Sequence, residues 1–285
     1  MTKNLPANVT HETWQGETAR LDRVLPELGL ARSRSQAAEL ISSGRVSVNG
    51  QEVLKAGARV NAGSVVVVSG DHHYVSRGAQ KLLAGLTEFE VSADGLVALD
   101  VGASTGGFTQ VLLERGAQTV LAIDVGHNQL AESLRVDPRV RLAEGVNARD
   151  LTREKLASLT GVDEAPALVV ADLSFISLEL VLPAMVQVAS PDADFIMLIK
   201  PQFEVGRQGI SGGIVTDSAR AVAAVERVID CAHGLGLECR GVRLSPVTGE
   251  HGNTEVLAHF VRTRSDDRPE WRERIRAIFK VRGEA

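Results

Sequence analysis

Apolar positions along this 285-residue chain fall into three successive regimes. Residues 1–19 mix Asn, Pro, Thr, Glu and Gly with no repeating apolar period, which predicts a flexible tail. From Arg20 a helical spacing sets in at Leu21, Val24, Leu25 and Leu28 and stops at Gly29. Ser35 is expected to cap a second helix carrying Ala37, Ala38, Leu40 and Ile41 up to Gly44. Val46-Ser47-Val48 then alternates ahead of an Asn49-Gly50 turn, and an apolar run over 65–68 is bounded by Gly63 and Gly70. This pattern predicts a small α+β module over 20–72, followed by a linker over 73–80. Beyond Gly95 the third regime begins. Short, near-continuous apolar runs at 96–101, 120–123, 168–171 and 195–199 are separated by helical patterns such as 178–188. Strands buried on both faces read this way, so residues 81–264 are predicted to form an α/β domain with a doubly wound, mostly parallel sheet. Ligands of such a sheet bind at the carboxyl ends of its strands. In the expected extension over 265–285, Trp271, Ile275, Ile278 and Phe279 share one helical face, while Arg272, Arg274, Arg276 and Lys280 lie elsewhere. A basic amphipathic helix is expected there, either docked on the larger domain or lying on a membrane surface.

The net charge of −5 argues weakly against nucleic acid, but its distribution alters that picture. Between residues 20 and 60, seven basic residues face four acidic ones, an excess of three that leaves the remainder at −8. Such asymmetry fits one module that grips an anion and another that does something else. The opening Met1-Thr2-Lys3-Asn4-Leu5-Pro6 has no apolar leader core, and no run approaches the roughly 18 apolar residues of a membrane span, so a cytoplasmic protein with no membrane partner is expected. Cys231 and Cys239 have no metal-ligand spacing and are expected to be buried, with no metal implied.

Candidate chemistry clusters at predicted strand ends. The first strand runs out into Asp100-Val101-Gly102-Ala103-Ser104-Thr105-Gly106-Gly107-Phe108-Thr109, where glycines let a ligand approach the backbone and a helix starting near Gly107 points free N–H groups at it. The loop lacks the G-x-G-x-x-G spacing of dinucleotide sites, which disfavours NAD and FAD. Asp124 ends the second strand, where an acidic residue of such a sheet takes a ribose diol. Asn147 and Asp150 follow the third strand and either line an adenine pocket or form a turn and a helix cap. Asp172 ends the fourth strand and Lys200 the fifth, while Lys81 precedes the core and Glu255 follows Gly252-Asn253-Thr254. A lysine placed after four apolar residues of a central strand is poorly explained by solubility, because burying it unpaired costs several kcal/mol. Arg207, in a glycine-rich loop over 206–213, either cradles a phosphate or belongs to a plain connector, and His251 is a further RNA-contact candidate.

Several of these runs resemble known families. Arg20-Leu21-Asp22, Ser33-Arg34-Ser35-Gln36-Ala37 and Gly44-Arg45-Val46-Ser47-Val48-Asn49-Gly50 are similar, in that order, to the S4 RNA-binding domain, with Ala38 standing where such domains often carry another basic residue. Acidic strand ends around a glycine loop resemble the Rossmann-like class I S-adenosylmethionine methyltransferases. That resemblance implies S-adenosyl-L-methionine as cofactor, with Asp100 at its amino acid end, Asp124 at its ribose, and Gly102, Ser104, Thr105, Gly106, Gly107, Phe108, Asn147 and Asp172 around it. The order Lys81, Asp172, Lys200, Glu255 resembles the K-D-K-E tetrad of FtsJ-like ribose 2′-O-methyltransferases. Over residues 20–262 the chain is similar to the TlyA (hemolysin A) family. The resemblance implies methylation of a cytidine ribose in 16S or 23S rRNA, or both, with ribosomal RNA and ribosomal subunits as partners. Lys200 would be the central catalytic lysine, held by Asp172 and Glu255, with Lys81 orienting the ribose. Arg20, Arg23, Arg32, Arg34, Arg45, Arg77 and Arg207 would contact RNA. Whether Lys200 removes a proton or stabilises an alkoxide stays open at this stage. The rival readings are a non-catalytic RNA-binding ribosome-assembly factor and a membrane-active hemolysin; the absence of an Asn-Pro-Pro-Tyr motif and of a catalytic Cys disfavours base methylation.

Overall fold

A computed structural model describes residues 9–31, 33–42, 44–69, 74–206, 212, 214–249, 252–262 and 271–280. The chain divides into two compact units, Met1–His73 and Tyr74–Ala285. In the first, the order is β1 (Val9–Thr13), β2 (Ala19–Arg20), α1 (Leu21–Glu27), α2 (Arg34–Ser42), β3 (Val46–Val48), β4 (Gln51–Glu52), β5 (Arg59–Val60) and β6 (Val65–Ser69). The antiparallel sheet β1-β6-β3-β4 and the pair β2-β5 enclose a core of Trp14, Leu21, Val24, Leu25, Ile41, Val66 and Val68 with the two helices. Two expectations are corrected here. Residues 9–14 are not tail, because β1 pairs with β6 along its length and the Trp14 amide donates to the Ser64 carbonyl at 2.9 Å. Nor does Ser35 cap α2, since the hydroxyl of Ser33 accepts the Gln36 amide at 3.2 Å. The Asn49-Gly50 hairpin is as read, with φ of +52° and +79° at its two turn residues.

The second unit runs α3 (Gly78–Glu88), β7 (Val97–Val101), α4 (Gly107–Glu114), β8 (Thr119–Asp124), α5 (Glu132–Arg135), β9 (Val140–Glu144), α6 (Arg153–Thr160), β10 (Leu168–Ala171), α7 (Leu182–Val188), β11 (Asp194–Ile199), α8 (Pro201–Glu204), α9 (Ser218–Gly234), β12 (Leu237–Leu244), β13 (Val256–Arg262) and α10 (Trp271–Lys280). Its sheet has the order β12-β13-β11-β10-β7-β8-β9. The strands from β11 to β9 pair in parallel, and β13 runs antiparallel between β11 and β12. Each face carries its own apolar layer: Val97, Leu99 and Val101 point into one, Ala98 into the other. This is the expected Rossmann-like α/β arrangement, doubly wound and mostly parallel. The residues expected to form a linker already belong to this unit from Tyr74, and Ala79 is fully buried in α3. Trp271, Ile275 and Phe279 of α10 are buried in the larger apolar layer, so this helix takes the docked of its two expected placements. Among the described residues no helix is long and apolar enough to cross a membrane.

Candidate functional site

Parallel strands end at a common edge. Val101 pairs with Ile123 and with Ala171, so the residues that follow β7, β8 and β10 emerge together. Because β13 is antiparallel to β11, with Ile199 opposite Val256, Glu255 enters that edge from the amino end of its strand. In the glycine loop, Gly102 has φ +86°, and a side chain there would meet the Asp172 carbonyl oxygen at 2.8 Å. At Gly106, with φ +96°, a Cβ would stand 2.3 Å from Leu134. Gly107 opens α4, so its first amides face the same edge. Asp124 accepts the Ser104 amide on Oδ2 and the Gly126 amide on Oδ1, both at 2.7 Å, and so shapes the loop next to it. Ser104 and Thr105 are exposed. Asp100 is fully buried. Its Oδ2 accepts a 2.7 Å hydrogen bond from the Thr109 hydroxyl, while Oδ1 has no partner. Burial pushes its carboxyl up to about 7, the Thr109 hydrogen bond opposing and the Asp172 and Asp124 charges adding.

The loop is thus a cradle that side chains would fill, with an orphaned buried carboxylate oxygen behind it. That suits a small ligand with a cationic end and a diol. The Phe108 ring is buried in the apolar layer with Leu82 and Leu112, and Asn147 caps a 3-10 turn (Ala148–Asp150) by accepting the Arg149 amide at 3.1 Å. Asp150 lies in that turn, and the cap of α6 is Thr152, which accepts the Lys155 amide.

Beside this cradle the four residues of the expected tetrad come together as an alternating chain of charges. Glu255 Oε2 receives Lys81 Nζ at 2.6 Å; Lys81 Nζ stands 3.7 Å from Asp172 Oδ2; Asp172 Oδ1 lies 2.7 Å from Lys200 Nζ. Lys81 and Lys200 are each 8% exposed and Glu255 2%, so these are buried ion pairs in which each ammonium has a carboxylate. Removing one member of such a set leaves its partner uncompensated, at about 3–5 kcal/mol. Gly249 backs the site, since a side chain there would meet Glu255 Oε1 at 2.3 Å. Gln202 Nε2 reaches the same carboxylate at 3.5 Å, leaving its own Oε1 buried without a partner.

Further contacts were not foreseen from sequence. Lys200 Nζ donates to the Ser174 hydroxyl at 2.9 Å and lies 5.8 Å from the centre of the Phe203 ring. Phe175 sits at φ +65°, a left-handed conformation that a bulky residue rarely adopts, and is 87% exposed. Its ring meets that of Phe203 with centres 5.1 Å apart. Glu204 is buried and accepts both the Ser177 hydroxyl and the Leu178 amide. Positive φ at a phenylalanine leaves no trace in sequence, and the other contacts, except that of Lys200 with Phe203, join segments more than twenty residues apart.

The candidate RNA contacts are spread over both units. In the smaller one, Arg20 and Arg34 converge on the buried carboxylate of Asp22 at 3.0 and 2.9 Å, and the two guanidinium groups hold that carboxyl down at about 2. Gly57 makes room for the Arg20 guanidinium, which a Cβ would meet at 3.3 Å. Arg23 pairs with Glu27 one turn away, and Arg45 Nε donates to the Ser69 carbonyl at 3.0 Å. Arg77 is exposed at the start of α3. Arg32, Arg207 and His251 lie outside the described residues.

The FtsJ-like methyltransferase family matches residues 74–262, and the S4 domain matches residues 19–66. Over 254 residues the chain is 50% identical to the 16S/23S rRNA (cytidine-2′-O)-methyltransferase TlyA of Mycobacterium tuberculosis, covering 87% of this chain and 91% of that protein. It is 39% identical to Hemolysin A of Brachyspira hyodysenteriae, with 85% of this chain and 99% of that protein covered. A solved structure of a hemolysin-labelled protein from Streptococcus thermophilus superposes with a TM-score of 0.72 at 36% identity, covering 94% of this chain and 99% of that one.

Proposed function

This chain belongs to the FtsJ-like methyltransferase family, and from that premise we propose that it methylates a cytidine ribose 2′-hydroxyl in ribosomal RNA with S-adenosylmethionine as donor. The observation that carries this reading is the Glu255–Lys81–Asp172–Lys200 chain of buried ion pairs set beside a glycine cradle at one sheet edge. When bound, the cofactor supplies a methyl group on a sulfonium, a very good leaving group. The residues fitted to hold it are Gly102 and Gly106, the first amides of α4, Asp124 for hydroxyl donors, and the unpartnered oxygen of Asp100 for a cationic amino end.

A ribose hydroxyl is a weak nucleophile, so the enzyme must align it and manage one proton. Lys200 is the group suited to that task. Asp172 and Ser174 orient its Nζ, while Lys81, tied to Glu255, keeps Asp172 from swinging away. Phe175, exposed next to Lys200 in a strained conformation, supplies a flat apolar face for the base of a nucleotide drawn out of its helix. Arg20 and Arg34, held side by side by Asp22, offer two guanidinium groups to the RNA backbone. Lys200→Ala should cost about 3–5 kcal/mol of stability through the uncompensated Asp172, yet the folded variant should retain cofactor and RNA affinity and lose at least about 10²–10⁴ in methyl transfer, measured with tritiated donor on ribosomal subunits. Near-wild-type transfer would remove Lys200 from the chemistry. Lys200→Arg separates two roles: a proton acceptor predicts inactivity, a purely electrostatic group predicts partial rescue.

A further inference from the structure

The loop after β10 and the short helix after β11 each bring half of the Lys200–Asp172 pair, and they are joined again at their far ends. Glu204 Oε2 accepts the Ser177 hydroxyl at 2.5 Å, and Oε1 accepts the Leu178 amide at 2.9 Å. Its own carbonyl accepts Arg227 Nη2 of α9 at 2.7 Å, which anchors this end of α8 to a long helix. Between the two ties lies Phe175 at φ +65°. A residue in that region costs on the order of 1–3 kcal/mol, and such a conformation persists only where its surroundings over-determine it. We infer that Glu204 is a positioning residue for Lys200, holding the strained 172–178 loop to α8 so that Asp172 and Ser174 meet the lysine Nζ. The inference rests on the catalytic reading of Lys200 for its consequence, though not for its geometry.

The carboxyl of Glu204 is shifted upward by burial, against the pull of the two hydrogen bonds. Two donors, one on each carboxylate oxygen, make reach the property that this position supplies. Glu204→Gln keeps the length and an acceptor for the Leu178 amide, whereas Glu204→Asp keeps the carboxylate but withdraws it from both donors. In the full chain, Glu204→Asp should lower kcat by about 10–100-fold with unchanged KM for cofactor and RNA, the scale expected when a reacting group is displaced by about an ångström. Glu204→Gln should retain most of the wild-type rate. A folded Glu204→Asp variant that transfers at the wild-type rate, a loss confined to KM, or a Gln variant as impaired as the Asp variant would overturn the inference.

A second readout does not need activity. Amine-reactive labelling followed by mass spectrometry reports how well each lysine is held. Lys200 should label several-fold faster in Glu204→Asp than in the wild type or Glu204→Gln, with Lys81 unchanged; equal Lys200 labelling in all three overturns the positioning role. If labelling changes as expected while Lys200→Ala still transfers methyl normally, the geometry stands and the catalytic reading of Lys200 fails. Should Glu204→Asp not fold, Ser177→Ala, which removes one of the two donors, is read in the same two ways.

Discussion

A methyl group at position 102 would press on the Asp172 carbonyl oxygen at 2.8 Å in a backbone already at φ +86°. Gly102→Ala should therefore cost about 1–3 kcal/mol of stability and weaken cofactor binding, since the carbonyl that must yield belongs to a tetrad residue. Calorimetry and thermal unfolding of that variant check both. Asp100 makes a prediction about pH. Its folded-state value of about 7 is raised above an unfolded value near ~4, so the folded chain holds a proton that the unfolded chain has released. The resulting stabilisation is complete below about pH 4 and is lost as pH climbs through about 7. Asp100→Asn has no proton to lose, and the unfolding midpoint of the wild type should fall relative to that variant across this window. Asp124→Ala removes the acceptor for two loop amides as well as a hydroxyl acceptor, and should weaken cofactor binding by about tenfold to a hundredfold, read by calorimetry.

Elements differ in how plainly they announce themselves. Asp100, Asp124, Asp172 and Lys200 could be read because each ends an unbroken apolar run, and in a parallel sheet the last apolar residue marks the edge where ligands bind. Strand β1 could not, since VTHET carries no apolar alternation and its partner in β6 lies more than fifty residues ahead. Thr109, Ser174, Gln202 and Glu204 escaped for a similar reason: their partners are set by how loops fold back, which local period does not encode. Helix α10 is the opposite case, with Trp271, Ile275 and Phe279 one turn apart and all buried. Ile275→Ala should cost about 2–5 kcal/mol through the cavity it leaves against β12 and α9, whereas Arg274→Ala on the exposed face should stay within about 0.5 kcal/mol; chemical denaturation distinguishes them.

Over the whole molecule, charge is uneven, with the basic excess of three confined to residues 20–60. If Arg20 and Arg34 contact two phosphates of single-stranded RNA, neutralising both should flatten the slope of log affinity against log salt by about 1.4, while cofactor affinity stays constant. An unchanged slope would move the grip elsewhere. The topology also sets an order of assembly. Strand β13 is the last of the sheet to be synthesised, yet it lies between β11 and β12, and Lys81 waits 174 residues for Glu255. Contacts so distant in sequence form late, after the loop-closure entropy has been overcome. Until β13 arrives, β12 has no place in the sheet, β11 presents an open edge, and Lys81 lacks its nearest carboxylate. A growing chain on the ribosome therefore carries nearly all the parts of the site without being able to use them, and a product terminated before Glu255 is aggregation-prone material for proteases rather than a slower enzyme.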